Sequence, residues 1–165
     1  MIGSKALAAG VTALAMLAAT GAEALDKVRF GTNWVAQAEH GGYYQALVDG
    51  TYAKYGLDVE IVPGGPQSNN RMLLPVGKLD FYMGGNMIQA FSAVQENIPT
   101  IVVAAHFQKD PQVIISHPGL DKWEDLKKAT LFISKEGLAS FYQWMVSQYG
   151  FKENQVRPYN FNAAP

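Results

Sequence analysis

The sequence predicts an α/β protein built as two parallel-sheet lobes, of which the second is incomplete. Three observations predict it. Strand-like and helix-like stretches alternate along the chain, a pattern that lays helices on the faces of a parallel sheet. Strands of the first half end in glycine-bearing breaks, Gly64-Gly65-Pro66 and Gly84-Gly85-Asn86. Two strand-like stretches, 100–107 and 113–116, then follow one another across a short polar break, Gln108-Lys109-Asp110-Pro111, and a fresh α/β series begins. A chain that builds one lobe and crosses into another makes a hinged clamshell. The expected organisation is a signal peptide over 1–24, a first lobe over 25–99, crossover strands over 100–116 and a partial second lobe over 117–165.

The opening residues are expected to lie outside the fold. Lys5 gives a small positive start, residues 6–19 are apolar apart from Gly10 and Thr12, and Ala22-Glu23-Ala24 has the small-x-small form of a cleavage site. The run is short for a bilayer, which needs about 20 apolar residues. It has the form of a secretory signal cut after Ala24; an uncleaved N-terminal anchor is the other reading.

Residues 28–34, rich in β-branched and aromatic side chains, read as a strand. Residues 42–55 read as a helix, with Tyr43, Leu47, Tyr44, Val48, Tyr52 and Tyr55 recurring at spacings of three and four. Gly56 then sits where a helix C′ glycine belongs. Residues 58–62 form a second strand, stopped by Pro63-Gly64-Gly65-Pro66. Residues 69–76 predict a short helix that Pro75 ends or kinks near Leu74. A third strand over 79–83 precedes a helix over 86–96, with Met87, Phe91 and Val94 facing inward. In the second set, residues 121–128 predict a helix opened by a capping-box-like pair, Asp121 and Glu124. Residues 130–134 predict a strand, and 138–149 a helix whose stripe is Leu138, Phe141, Tyr142, Met145, Val146 and Tyr149, stopped by Gly150. A last strand begins over 156–161. The series halts soon after entering the second set, so a truncated chain is the expectation.

Composition removes several functions. With 13 basic and 14 acidic side chains, the net charge is −1. There is no basic stripe to displace counterions from phosphates, so nucleic acid is not an expected partner. Cysteine is absent, which removes disulfides, thiolate nucleophiles and Cys-based zinc sites together. His40, His106 and His117 lack metal-ligand spacing. No Ser/His/Asp ordering, H-E-x-x-H or P-loop occurs. Carboxylates are absent from the candidate loops except Glu39 and Glu136, which gives a glycosidase little support. No catalytic residue, metal or cofactor is predicted, and the chain reads as a non-enzyme.

In open parallel sheets, ligands bind beyond the carboxyl ends of the strands, where loops lead into helix N-termini. The first such loop carries Asn33-Trp34 and then Glu39-His40-Gly41-Gly42-Tyr43; the next two carry the glycine breaks. Glycines let a backbone approach a ligand. Helix N-termini offer unpaired N–H donors. Trp34 and Tyr43 offer flat apolar faces, and Asn33 and Asn86 can both donate and accept, which suits a heterocycle with mixed edges. Trp34 equally suits a core position; its place beside Asn33 at a strand end points to the cleft. His40 suits a satisfied histidine as well as a loop ligand. Trp123 and Trp144 read as structural or exposed, and Lys127-Lys128 as a solvated helix end.

Several segments resemble a known family. Asn33-Trp34, His40-Gly41-Gly42-Tyr43-Tyr44-Gln45-Ala46, Gly50-Thr51-Tyr52 and Tyr55-Gly56-Leu57-Asp58-Val59 resemble the opening of substrate-binding proteins related to thiamine pyrimidine-precursor synthesis and uptake. Gly64-Gly65-Pro66, Asn69 and Gly77-Lys78-Leu79-Asp80-Phe81 continue the likeness. Asp125-Leu126-Lys127-Lys128 is similar to the helix entering the second lobe of nitrate, sulfonate and taurine binders of the same superfamily. The resemblance implies a type II periplasmic-binding-protein-like fold in which two α/β lobes close on a solute. It also implies a periplasmic component of an ABC importer, delivering to a permease in the inner membrane. By carry-over, Asn33, Trp34, His40, Tyr43, Gly64, Gly65, Gly84, Gly85 and Asn86 line the first lobe's side of the cleft, and residues 134–137, with Ser134 and Glu136, face them. Two departures stand out. Family members are roughly twice this long, nearer two domains. Oxyanion-binding relatives carry a glycine- and serine-rich turn where this chain has Ser134-Lys135-Glu136-Gly137-Leu138-Ala139-Ser140, and Glu136 there opposes a sulfonate or nitrate.

The implied solute is therefore a thiamine pyrimidine precursor, formylaminopyrimidine- or hydroxymethylpyrimidine-like, or a related small nitrogenous molecule. An alternative follows from the fungal relatives, which make the thiamine pyrimidine from pyridoxal phosphate and a histidine of their own chain; His40 is the candidate. Export and the lack of cysteine argue against it, because the fungal type is cytosolic with a cysteine-rich iron-binding segment. A third reading is an inactive fragment whose open sheet edges associate.

Overall fold

The computed structural model describes residues 24–159. The expected signal sequence lies outside them except for Ala24, as do the last residues of the expected strand over 156–161. Within them the fold is α/β with two parallel sheets.

The first sheet has the order β2-β1-β3. β1 (Asp26–Gly31) runs beside β2 (Leu57–Val62) in parallel, from Asp26 against Leu57 to Gly31 against Val62. β3 (Phe81–Tyr82) flanks the other side, with Phe30 against Phe81 and Gly31 against Tyr82. All three strands therefore end together, and their following loops share one edge. The β1–β2 crossover was predicted as one helix. It is two, α1 (Gly41–Val48) and α2 (Thr51–Lys54). Gly50 between them sits at φ 75°, a left-handed conformation that glycine adopts without strain. Asp49 Oδ1 accepts from the Thr51 N–H at 2.9 Å and the Thr51 hydroxyl at 2.6 Å, so a local side-chain turn competes with the helix and breaks it. The 69–76 helix is only a 3₁₀ turn, Asn70–Leu73, that ends before Pro75.

A polar knot ties the ends of β1 and β2. Thr32, wholly buried, donates its hydroxyl to the Trp34 carbonyl at 2.8 Å and accepts from the Gly64 N–H at 3.1 Å. The Asn70 amide donates to the Thr32 and Val62 carbonyls at 3.1 and 3.2 Å. Buried polar groups are tolerated when paired in this way.

α3 (Met87–Gln95) corrects the predicted inner face. Met87, Phe91 and Val94 are exposed, Phe91 to 62%, while Gln89 and Ala93 are buried. The 3.6-residue period identifies two faces but not which one meets the protein. The decision falls to Gln89, whose amide has a buried partner described below.

Residues 100–107 and 113–116 form no strand. They run as an irregular, exposed connection, with Ile101 exposed to 86%. β-propensity acts through cross-strand partners, and no neighbouring strand flanks this stretch among the described residues.

The second α/β set contains α4 (Trp123–Leu126), β4 (Leu131–Ile133), α5 (Lys135–Leu138), α6 (Phe141–Tyr149) and β5 (Val156–Pro158), with β4 and β5 parallel. α4 starts after Lys122, and no side chain caps it, so the Asp121 cap is not made. The 138–149 helix is divided at Ala139 and Ser140. Its stripe still builds the core: Tyr142 and Met145 pack with Leu126, Ile133 and Phe151, flanked by Leu138, Phe141, Val146 and Tyr149. Tyr142 donates to the Lys152 carbonyl at 2.6 Å, and Gly150 ends α6 in the left-handed region at φ 67°.

Candidate functional site

The loops that follow β1, β2 and β3 meet the α5 region of the second set directly. Glu136 of α5 is the centre of the contact. Its Oε1 accepts from the Gly85 N–H at 2.9 Å, the Gln89 Nε2 at 2.6 Å and the Tyr82 hydroxyl at 3.5 Å. The absence of a Cβ on Gly85 makes room for this oxygen: a Cβ there would crowd Glu136 Oε1 and stand 3.0 Å from Asn33 Nδ2, so the carboxylate would have to swing out of its present position. Burial pushes the Glu136 carboxyl above its ordinary range, opposed by the hydrogen bonds from Gln89, Gly85 and Tyr82 and by the positive charge of Arg71. Burial, and then the Glu136 charge, hold the Tyr82 phenol neutral far above its ordinary range.

Around that centre, Asn86 Nδ2 donates to Ser140 Oγ at 3.3 Å, while the Ser140 hydroxyl donates to the Glu136 carbonyl at 2.8 Å. With its proton committed, Ser140 can only accept from Asn86, which fixes the amide orientation. Asn86 Oδ1 is then left buried without a partner. Gln89 Oε1 is likewise unpaired, because its amide nitrogen serves the carboxylate. The Lys135 N–H donates to the Pro66 carbonyl at 3.0 Å, and Gln67 Nε2 donates to the Tyr159 carbonyl at 2.6 Å. Trp34, half-buried, faces Tyr159 with ring centroids 6.4 Å apart and planes 18° from parallel.

The site residues expected from sequence divide into two groups. Asn33, Trp34, Gly85, Asn86 and Glu136 stand at the contact, with Gly84 beside Gln89 and Tyr82. The others have local roles. Ser134 caps α5, its Oγ accepting from the Gly137 N–H at 3.1 Å. Gly64 lets β2's exit pass against the Asn33 backbone, where a Cβ would come within 2.5 Å. Gly65 is buried beside Val35 and Ser68. Tyr43 packs on Phe30 at 4.5 Å and meets His106 Nε2 through its hydroxyl at 2.7 Å, so its ring is engaged with β1 and the exposed connection. His40 is 1% exposed at the start of α1, and its Nδ1 has no partner. The sequence reading missed Tyr82, Gln89, Ser140, Gln67, Arg71 and Tyr159. Only the polar residues of α3 carried a signal, since a glutamine flanked by apolar residues suits a buried hydrogen bond.

A cavity of about 610 Å³ lies away from this contact, between the exposed connection and α6, lined by residues that include Val113, Ile114, Trp123, Phe141 and Trp144. Among the described residues, no group of three or more His, Asp or Glu could hold a metal ion. No described helix is long and apolar enough to cross a membrane.

No curated protein and no solved structure matches the chain. A family described as NMT1/THI5 like matches residues 37–164, a span that includes the exits of β2 and β3, α3 and all of the second set. Membership supports a solute-binding role in general. The chain belongs to the NMT1/THI5-like family.

Proposed function

We propose that this chain serves as the solute-binding component of an ABC importer in the periplasm, closing on a thiamine pyrimidine precursor or a related small nitrogenous solute. One observation carries the reading: the strand-end loops of the first sheet face the α5 region through polar contacts that leave three side-chain carbonyl oxygens, Asn33 Oδ1, Asn86 Oδ1 and Gln89 Oε1, buried and unpaired. Such oxygens gain from N–H donors, which an amino-substituted heterocycle brings. The Glu136 carboxylate adds a further acceptor. Trp34 and Tyr159 are near-parallel aromatic faces against which a flat ring stacks once the lobes part. Closure then excludes water, which strengthens each polar contact.

The test is a thermal-shift and calorimetric screen of aminopyrimidines, with non-aromatic amines and sulfonates for comparison. Trp34 emission should change on pyrimidine binding, and Trp34→Phe should remove that change while Trp123 and Trp144 continue to report. If no nitrogenous solute shifts the melting temperature, the reading fails. The enzyme alternative keeps one specific observation, the unpaired Nδ1 of buried His40. Intact mass before and after incubation with pyridoxal phosphate and iron separates the two: a receptor's His40 survives unchanged.

A further inference from the structure

We infer that Glu136 is a specificity gate: its side chain fills a three-donor oxyanion cradle in the first lobe and so denies that cradle to anionic solutes. The inference rests on the reading of the interlobe contact as the solute site. The donors are the Gly85 N–H, the Gln89 Nε2 and the Tyr82 hydroxyl, drawn from the loop before α3, α3 itself and β3. They converge on one oxygen, which is how a protein receives a carboxylate, sulfonate or nitrate. The Gln89 side chain is buried, so its orientation does not depend on solvent. Arg71 adds positive potential nearby, its Nη1 3.5 Å from the Gln89 carbonyl. The missing Cβ of Gly85 supplies the space for the oxygen.

The oxygen that occupies this cradle belongs to the chain. A tethered carboxylate acts at an effective concentration of order millimolar or higher, so a free anion at lower concentration does not displace it. Its charge also repels a second anion at contact distance. The same carboxylate still accepts from a donor-bearing solute. One side chain thereby biases the site from anions toward N–H donors.

The experiment is a gain of binding. Wild type, Glu136→Ser, Glu136→Gln and the double variant Glu136→Ser/Gly85→Ala are titrated with acetate and methanesulfonate, with ionic strength held constant by chloride. Glu136→Ser leaves the donors unfilled and should gain an anion-dependent rise in Tm of about 3–6 °C at tenfold Kd. Glu136→Gln keeps an acceptor in the cradle and should gain nothing, and the Gly85→Ala partner should abolish the gain. A Glu136→Ser response no larger than that of wild type, or an equal gain by Glu136→Gln, overturns the gate. Where the serine variant does not melt cooperatively, Glu136→Ala takes its place. In wild type the Gly85 amide resonance should ignore both anions; if it moves with them, anions already reach the cradle and the inference is wrong. Failure of the receptor reading shows separately, as a wild type that binds no nitrogenous solute.

Discussion

Gly64→Ala is expected to be severely destabilising, while Gly65→Ala, one residue away, is expected to be nearly silent. A Cβ on Gly64 would lie 2.5 Å from the Asn33 carbonyl carbon, 2.5 Å from the Thr32 oxygen and 2.6 Å from the Asn33 oxygen. These are backbone atoms, so no side chain can swing away, and ordinary contact requires the β1 and β2 exits to separate by about 1 Å. The Gly64 N–H bonds to Trp34 O and Thr32 Oγ1 are already 3.1 Å long and do not survive that movement. Two lost hydrogen bonds at about 1 kcal/mol each, with overpacking of about 1–3 kcal/mol, give about 3–5 kcal/mol. For a chain of this size that lowers Tm by roughly 6–20 °C. A Cβ on Gly65 meets its nearest neighbours, Ser68 Oγ and Val35 Cγ1, at an ordinary 3.6 Å. Urea melts of the two variants decide the matter. Equal midpoints, or a Gly64→Ala Tm within 2 °C of wild type by the same scale, would refute the close-approach argument.

Glu136 should make stability depend on pH in a definite direction. Its carboxyl is raised chiefly by burial, so its contribution is full below the ordinary carboxylate pKa and is lost as pH rises through the raised value. Relative to the always-neutral Glu136→Gln, wild-type Tm should therefore climb as pH falls from neutral toward the ordinary carboxylate pKa; a difference that is flat down to that pKa contradicts this. Tyr142→Phe removes the buried bond to the Lys152 carbonyl and should cost about 1–3 kcal/mol in denaturant melts, with no change at the interlobe contact. The exposed Ile101, Val103, Val113 and Ile115 should make the chain self-associate in light scattering, because unpaired strand-forming segments template pairing. Replacing all four with Lys should restore a monomer, and a monodisperse wild type would contradict the expectation.

Local signals were legible in the sequence, and signals that depend on a partner were not. Gly56 and Gly150 stop their helices as expected because a positive φ is a property of one residue. The stripe from Leu138 to Tyr149 builds the core because its apolar residues outnumber any rival face. By contrast, Met87, Phe91 and Val94 form a face as good as the one opposite. Gln89 turned α3 around only because Glu136, 47 residues later, waits for its amide. The 100–116 stretch has strand composition without a strand to pair with. Asn33, Trp34, Gly85, Asn86 and Glu136 were singled out by position at strand ends and helix starts, and the structure brings them to the contact between the two sets. Tyr82 was hidden because a tyrosine in a strand is commonplace, whereas Gln89, flanked by apolar residues, carried a signal whose partner, Glu136, is set only by the tertiary fold.

The two kinds of contact in this chain differ in what breaking them costs. The second set is held by buried aromatic and aliphatic side chains, and separating Tyr142, Met145 and Phe151 means unfolding it. The contact between the two sets is polar: Glu136 with Gly85 and Gln89, Asn86 with Ser140, Lys135 with Pro66, Gln67 with Tyr159. Each such bond exchanges for one with water and is worth about 1 kcal/mol net, and the burial of the Glu136 charge subtracts from the sum. Parting the two faces therefore costs a few kcal/mol, the range in which open and closed states coexist and a ligand shifts their balance. A solute that satisfies Asn86 Oδ1 and Gln89 Oε1 as well as Glu136 gains bonds that the empty closed form lacks. On the proposed reading its affinity comes from that difference, which a contact sealed by apolar residues would not offer.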